Sequence, residues 1–522
     1  MRMNNDHEWD AVVIGGGAAG LSAALMLGRA RRRVLVIDGG APRNRFAAHM
    51  HGVLGHDGLD PADLLARGRA ELATYGVAVE TGEVAEVAEG AEGGDGLRVL
   101  RADGAVERTR AVVIATGIRD VLPDIDGLRD FWGTSVLHCP YCHGWEVADR
   151  RLAVVATSPA SLHQIELVRQ WSDDVTAFTA DLGPVAPEVS ARLAARGIRV
   201  VAERATAVSV RGGALAGLVT ADGVTHPADA VFVGPVPEVP LEFVAGLALA
   251  RADQPGSPLA VDALGATSHP RVWAAGNVTA PFGNVPLSMG AGSMAGAAVN
   301  AALVADDAAR AVRERRATRN AHWEERYAEN TRFWSGRVNA TTAAVVGGLP
   351  ARGTALEVGC GEGADAVWLA EQGWEVTAVD VSASAIERAR TAAAERGVAD
   401  RVRFVVADAV DALPDGPFDL VVSSFLHSWE GDFPRIGILR DAASRVAPGG
   451  RMLAVSHAAP PPWSTHAEHE RPILLSPAEE LAQLQLDEGW SAERVEIVPR
   501  ETAAPDGSPA HLDDGVLLLR RG

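Results

Sequence analysis

The chain has 522 residues, 47% of them hydrophobic, and a formal net charge of -20. That length allows roughly three or four domains of about 150 residues, and that apolar content excludes a wholly disordered chain. The acidic balance argues against nucleic acid or an anionic membrane as partner, since both need a basic face, and all 48 basic residues are arginines, so no lysine is present to form a Schiff base.

Residues 11–27 read AVVIGGGAAGLSAALML: an apolar strand, the triplet Gly15-x-Gly17-x-x-Gly20, and an apolar helix. The next strand, VLVID, ends in Asp38. Gly15 suits a tight turn, Gly17 lets backbone approach a pyrophosphate, and Gly20 lets helix meet strand. The helix N-terminus favours negative charge, and Asp38 can accept from ribose hydroxyls, so a dinucleotide site is expected. Residues 86–96 (EVAEGAEGGDG) read as a solvated hairpin or loop. Residues 112–127 (VVIATGIRDVLPDIDG) carry Thr116 and Gly117 after another apolar strand.

Residues 137–146, LHCPYCHGWE, hold two of the three cysteines, Cys139 and Cys142. A metal site needs two more soft or imidazole ligands, and His138 and His143, each directly beside a cysteine, are wrongly spaced to close a tetrahedron. Inert packing and redox chemistry stay open, with redox favoured: such a pair closes a short disulfide, and one thiol's pKa falls beside the other and a helix N-terminus. A histidine at 143 can shuttle a proton near neutral pH or stabilise the turn. His138 is the less direct candidate.

Residues 152–161 (LAVVATSPAS) have the shape of a second nucleotide turn, but Ala156, Ser158 and Ser161 stand where glycines are expected, and side chains there hinder a pyrophosphate. After the next strand comes Thr179-Ala180-Asp181, where Asp181 would repel a 2′-phosphate. Residues 272–300 (VWAAGNVTAPFGNVPLSMGAGSMAGAAVN) bring Gly276 and Asn277.

Taken in order over roughly the first 305 residues, these segments resemble the low-molecular-weight thioredoxin reductase family of two-dinucleotide flavoproteins. The resemblance implies FAD on Gly15, Gly17, Gly20, Asp38, Thr116, Gly117, Gly276 and Asn277, in a split FAD domain (1–118 and 247–305). An inserted NAD(P)-like domain (119–246) would carry the cysteines. It also implies that Cys142 faces the flavin, that Cys139 exchanges with the outside sulfur, that a helix near Ser288 aims its N-terminus at the flavin, and that the flavin half is a homodimer. Asn277 departs from the family's usual Asp; an amide can still bond a ribityl hydroxyl. His143 replaces the acid of the bacterial enzymes. The missing glycines and CPYCHG together resemble the branch of dithiol oxidases of the gliotoxin and holomycin type, which send electrons from a small dithiol through FAD to O₂. The NAD(P)-like domain is thus expected to keep its fold and lose its NADPH site. An NAD(P)H-dependent reductase of thioredoxin or a small disulfide is the alternative.

Residues 306–325, rich in Ala and Arg, read as helix and linker. Beyond them, LEVGCGEGADAVWLAEQGWEVTAVDVS gives a strand, Glu357 and the loop Gly359-x-Gly361-x-Gly363, a helix, and a strand ending at Asp380; FVVADAVDALP then supplies Asp408. With residues 418–429 and the later VAPGG, this order resembles the class I S-adenosylmethionine methyltransferases. The resemblance implies the methionine part of the cofactor over the glycines, its ribose on Asp380 and its adenine amino group near Asp408, in a domain spanning 326–522. Cys360 reads as a small loop residue. Residues 322–339 resemble an N-terminal lid, with Trp334 and Arg337 as candidates for the cofactor mouth or simply for an amphipathic face. His427, His457, His466 and His469 are candidate bases or, more simply, loop and core histidines.

The expected fold class is therefore α/β: a two-dinucleotide flavoprotein followed by a Rossmann-like methyltransferase. The expected protein is a bifunctional enzyme acting on a small dithiol or disulfide (or a thioredoxin-like protein) and on a small methyl acceptor, with a redox sensor gating the methyltransferase as the reading of another class. Three cysteines are too few for a disulfide framework. No signal segment opens the sequence and no unbroken apolar run reaches about 18 residues, so a cytoplasmic location without membrane contact is expected.

Overall fold

A computed structural model describes residues 9–90, 96–329, 333–349, 353–427, 433–460, 463, 474–504 and 508–522. Two compact units divide it, Met1–Ala308 and Ala309–Gly522.

In the first unit, the apolar runs Trp9–Ile14 and Val34–Asp38 pair in parallel, and Trp9–Ile14 also pairs with Val106–Ile114. Ala78–Thr81 extends one edge, and the antiparallel strands Leu97–Arg101 and Val84–Glu89 extend the other. Val272–Ala274 joins Val106–Ile114 in parallel, although some 160 residues separate them in sequence. Between those two strands lies a five-stranded parallel sheet in the order Arg199–Val201, Val175–Phe178, Leu152–Val155, Ala230–Val233 and Val136–Leu137. Strands buried on both faces read as near-continuous apolar runs: LAVV and AVFV are apolar throughout, and VTAF is broken only by Thr176, whose hydroxyl accepts from Arg199. The short antiparallel pair Arg119–Val121 with Val236–Glu238 lies where the chain leaves and re-enters the first sheet.

The second unit has one seven-stranded sheet. Five parallel strands run in the order Val402–Val406, Glu375–Asp380, Thr354–Val358, Phe418–Ser424 and Val446–His457; Pro509–Arg521 and Trp490–Ala503 add antiparallel. The Pro448-Gly449-Gly450 stretch of VAPGG lies inside Val446–His457, where the register against Phe418–Ser424 shifts.

The expected linker lies within a single helix, Val285–Glu329. By length and composition alone this helix could cross a membrane. Its apolar part is also core: Ala295, Val299 and Leu303 are buried, and Gly292 and Gly296 sit so close to the helix Ala18–Arg29 that a Cβ would lie 2.0 Å from the Ala19 carbonyl and 2.5 Å from that of Ala23. Arg110, 2% exposed, clamps the following turn: it meets Asp306 at 2.6 Å, Asp307 at 2.7 Å and Asp10 at 3.4 Å.

Candidate functional sites

In the first unit, the carboxyl ends of the parallel strands open on a cavity of about 1360 Å³. In open α/β sheets this is where ligands bind. Gly15 has φ +108°, and a Cβ there would strike the Ala115 carbonyl at 2.4 Å; a Cβ on Gly20 would strike the Gly15 carbonyl at 1.8 Å. These two glycines therefore set the strand–turn–helix junction. Gly17 differs, because a Cβ there would meet nothing within 4 Å and would point into open space. It caps Ala18–Arg29 with no side-chain hydrogen bond, which leaves the helix N-terminus unfilled by the protein.

Asp38 ends its strand and accepts from the Gly40 and Gly16 amides (3.0 and 3.2 Å) and from Arg69 (2.9 Å). Burial raises its carboxyl, but these donors outweigh burial and hold it below the usual range. Thr116 and Gly117 line the same cavity, and among the described residues the buried Thr116 Oγ1 has no hydrogen-bond partner. Gly276 and Asn277 close the far side. Asn277 donates from Nδ2 to the carbonyls of Ala280 (2.9 Å) and Gly283 (2.8 Å), so its amide protons hold the following loop and only Oδ1 remains to face a ligand. The helix Val285–Glu329 starts three residues before Ser288, itself in the cavity wall. An open glycine face, an unmet hydroxyl and a ribose-type acid fit a dinucleotide such as FAD.

Cys139 and Cys142 line that same cavity and form a disulfide, with Cα atoms 5.2 Å apart. Pro140 starts the single turn Pro140–His143, and the Gly144 amide closes it on the Pro140 carbonyl at 2.7 Å. His143 is also in the wall; burial first, and His51 second, push its imidazole below the ordinary histidine value, against the opposing pull of Glu146. His138 is lowered by burial and by Arg43, and its Nδ1 lies 3.2 Å from the Val233 carbonyl. Tyr141 and Trp145 flank the pair largely exposed, and Tyr141 stands edge-on to Trp171. Among the described residues no group of three or more His, Cys, Asp or Glu converges to hold a metal.

The second nucleotide turn closes on itself. Ser161 Oγ accepts from the Thr157 amide (3.1 Å) and the Ser158 amide (3.4 Å), and Thr157 Oγ1 donates to the Gly234 carbonyl (2.8 Å). These are amides a phosphate would need. Asp181 is paired with Arg204 at 2.5 Å. Local sequence did not reveal this arginine, because it comes from beyond the next strand.

In the second unit Gly359, Gly361 and Gly363 all have positive φ at the carboxyl end of Thr354–Val358. Asp380 Oδ2 accepts from the Gly361 amide at 2.8 Å and Oδ1 from Ser382 at 2.9 Å. Glu357, one strand over, has an Oε2 that is buried and unpartnered among the described residues. Burial, then the nearby Asp365 and Asp380 charges, drive the Glu357 carboxyl well above its ordinary value; burial also raises Asp365 and Asp380. Two buried acids and the partly buried Asp380, gathered with too little positive charge, suit a cationic ligand. Cys360, 7% exposed, has its thiol raised by burial and these carboxylates.

Asp408 follows Val402–Val406 and already accepts from Asn320, Arg316 and the Val410 amide. Sequence reasoning had not paired it with the long helix, nor found Glu324 and Tyr327; their one signal is helical spacing. Trp334, itself half exposed, donates from Nε1 to Tyr327 Oη (2.9 Å) near Gly361; Arg337 is exposed. The Phe333 and Trp334 amides are held by Glu362. The His427 ring accepts from the His457 amide at 3.2 Å, and burial pushes it down to about 3. His466 and His469 lie outside the described residues.

A split dinucleotide-binding fold with a disulfide in its cavity, followed by a glycine-loop α/β fold, defines an oxidoreductase joined to a methyltransferase domain. The profile of the pyridine nucleotide-disulphide oxidoreductase family matches residues 9–302, and that of a methyltransferase domain matches 355–450. The chain belongs to the pyridine nucleotide-disulphide oxidoreductase family. Among its relatives are a probable thioredoxin reductase of Arthroderma benhamiae (34% identical over 177 residues, 33% of this chain and 44% of that one) and the thioredoxin reductase sirT of Leptosphaeria maculans (37% over 139 residues, 26% and 42%). The chain spans about half the length of the curated relatives it matches. Its first unit is similar to the crystal structure of HlmI (43% identity, TM-score 0.57, 60% of this chain and 99% of that one). It is also similar to an oxidoreductase from Agrobacterium tumefaciens (36%, 0.54, 57% and 98%).

Proposed function

We propose that the first unit oxidises a small dithiol to its disulfide, with O₂ as final acceptor, and that the second transfers a methyl group from S-adenosylmethionine to a small molecule, a thiol by preference. The carrying observation is that the disulfide shares its cavity with the dinucleotide cradle, while Ser161 occupies the amides of the second nucleotide turn. A substrate thiolate attacks Cys139 Sγ, the Cys139–Cys142 bond breaks and Cys142 leaves as thiolate. The second substrate thiolate then attacks the substrate sulfur of the mixed disulfide and frees Cys139. His143, held neutral by burial, takes the thiol proton. FAD bound on Gly15, Gly17, Asp38 and Asn277 would accept the electron pair of the two thiolates and deliver it, with two protons, to O₂ as hydrogen peroxide.

In the second unit the buried Glu357 Oε2, unpartnered among the described residues and with Asp365 and Asp380 near it, supports a ligand bearing a sulfonium and an ammonium. Methyl transfer to a thiolate needs proximity and in-line geometry more than a base. A cytoplasmic homodimer acting on one thiol compound by both routes completes the proposal. Anaerobic titration of the yellow protein tests the first half. Bleaching by dithiothreitol but not by micromolar NADPH is expected; rapid NADPH bleaching would favour the reductase activity that the relatives' names carry.

A further inference from the structure

The second unit's share of the long helix carries a stripe, Arg316, Asn320, Glu324 and Tyr327, spaced so that a helix sets all four on one face. Together they meet three parts of the cradle expected for the methyl donor. Glu324 accepts from Ser382 Oγ at 2.6 Å and Ser384 Oγ at 2.5 Å, just past Asp380. Tyr327 Oη lies 2.9 Å from where a Cβ on Gly361 would be. Arg316 Nε and Asn320 Nδ2 reach Asp408 Oδ2 at 3.2 and 2.7 Å.

The Asp408 carboxylate also accepts from the Val410 amide through Oδ1 at 2.9 Å. Three protein donors therefore occupy a group with about four lone-pair positions. Asn320 is the opposite case. A carboxylate paired with arginine only accepts, so Nδ2 must be the atom that faces it, and the amide flip is fixed. Oδ1 then faces away, and among the described residues no hydrogen bond ends on it. We propose that Asn320 Oδ1 accepts the hydrogen bond from the 6-amino group of the donor's adenine, and that Asp408 is a positioning residue that holds the amide in that flip. The ligand class is a 6-aminopurine nucleoside carrying a sulfonium or thioether. This rests on the methyltransferase reading and moves part of the cofactor site onto the stretch expected to be a linker.

The test is calorimetric titration of the full chain with S-adenosylhomocysteine and with S-inosylhomocysteine, whose 6-oxo group cannot donate. The wild type should favour the adenosyl compound by tenfold or more. N320A should lose about five- to tenfold for the adenosyl compound, the size of one neutral hydrogen bond, and little for the inosyl one, so the ratio falls towards one. D408A, which releases the amide, should lower the same ratio. A ratio unchanged in N320A overturns the assignment; a ratio kept in D408A but lost in N320A strikes out the positioning role alone. If N320A does not fold, N320S supplies the same comparison. If the wild type binds neither compound, the methyltransferase reading falls, and this with it.

Discussion

A carboxylate at position 277, the family's usual choice, would face the carbonyl oxygens of Ala280 and Gly283 that the Asn277 amide now satisfies. Asn277→Asp is therefore expected to destabilise the first unit by about 1 kcal/mol, the net worth of hydrogen bonds at a partly exposed loop, and to release flavin, read as a rise in free-flavin fluorescence on mild heating. His143 gives a second expectation, with a definite sign. Its pKa is lowered, so it is neutral at pH 7 and gains a proton only below the ordinary value of 6.5. The ratio of wild-type to H143Q rates of flavin reduction by dithiothreitol should be flat above about pH 6.5, at about a hundredfold, and fall towards one as pH drops below it. A ratio that rises on acidification would rule His143 out as the base.

The strand–loop–helix junctions around Gly15 and Gly359, and the acids Asp38 and Asp380, were legible because each lies within one short stretch whose spacing is dictated by the turn itself. Arg204 against Asp181, and Asn320 against Asp408, were not, since each pair joins segments that only the folded sheet brings together. The helix Val285–Glu329 was half legible. Its Ala and Arg content has high helix propensity, but composition cannot show that residues 306 and 307 are bound to Arg110. Removing that guanidinium takes a charged donor from Asp10, Asp306 and Asp307, although Asp307 keeps Arg32 at 2.7 Å and Asp10 keeps the Arg33 amide at 2.9 Å, so Arg110→Met should cost about 1.5–3 kcal/mol. The loss should show in the denaturant midpoint followed by flavin fluorescence. A change below about 1 kcal/mol would mean that the cluster tolerates its own charge.

Each unit has its own sheet or sheets and its own apolar core. Ligand linkage should then be private to the unit that binds. Saturating S-adenosylhomocysteine at about 100 times its Kd adds about 2.7 kcal/mol to whatever binds it. Scanning calorimetry should show one transition move up while the one reported by flavin release stays in place; a shared shift would mean the two melt as one body.

The burial of Cys360 beneath its carboxylates has a practical consequence for the whole chain. In the native protein a maleimide can reach only the other two cysteines, and only once their bond is open. Intact mass after brief labelling thus adds either no tags or two. For any reductant that opens the bond fully to two thiols, the chain carries its own electron counter, legible without a spectrum.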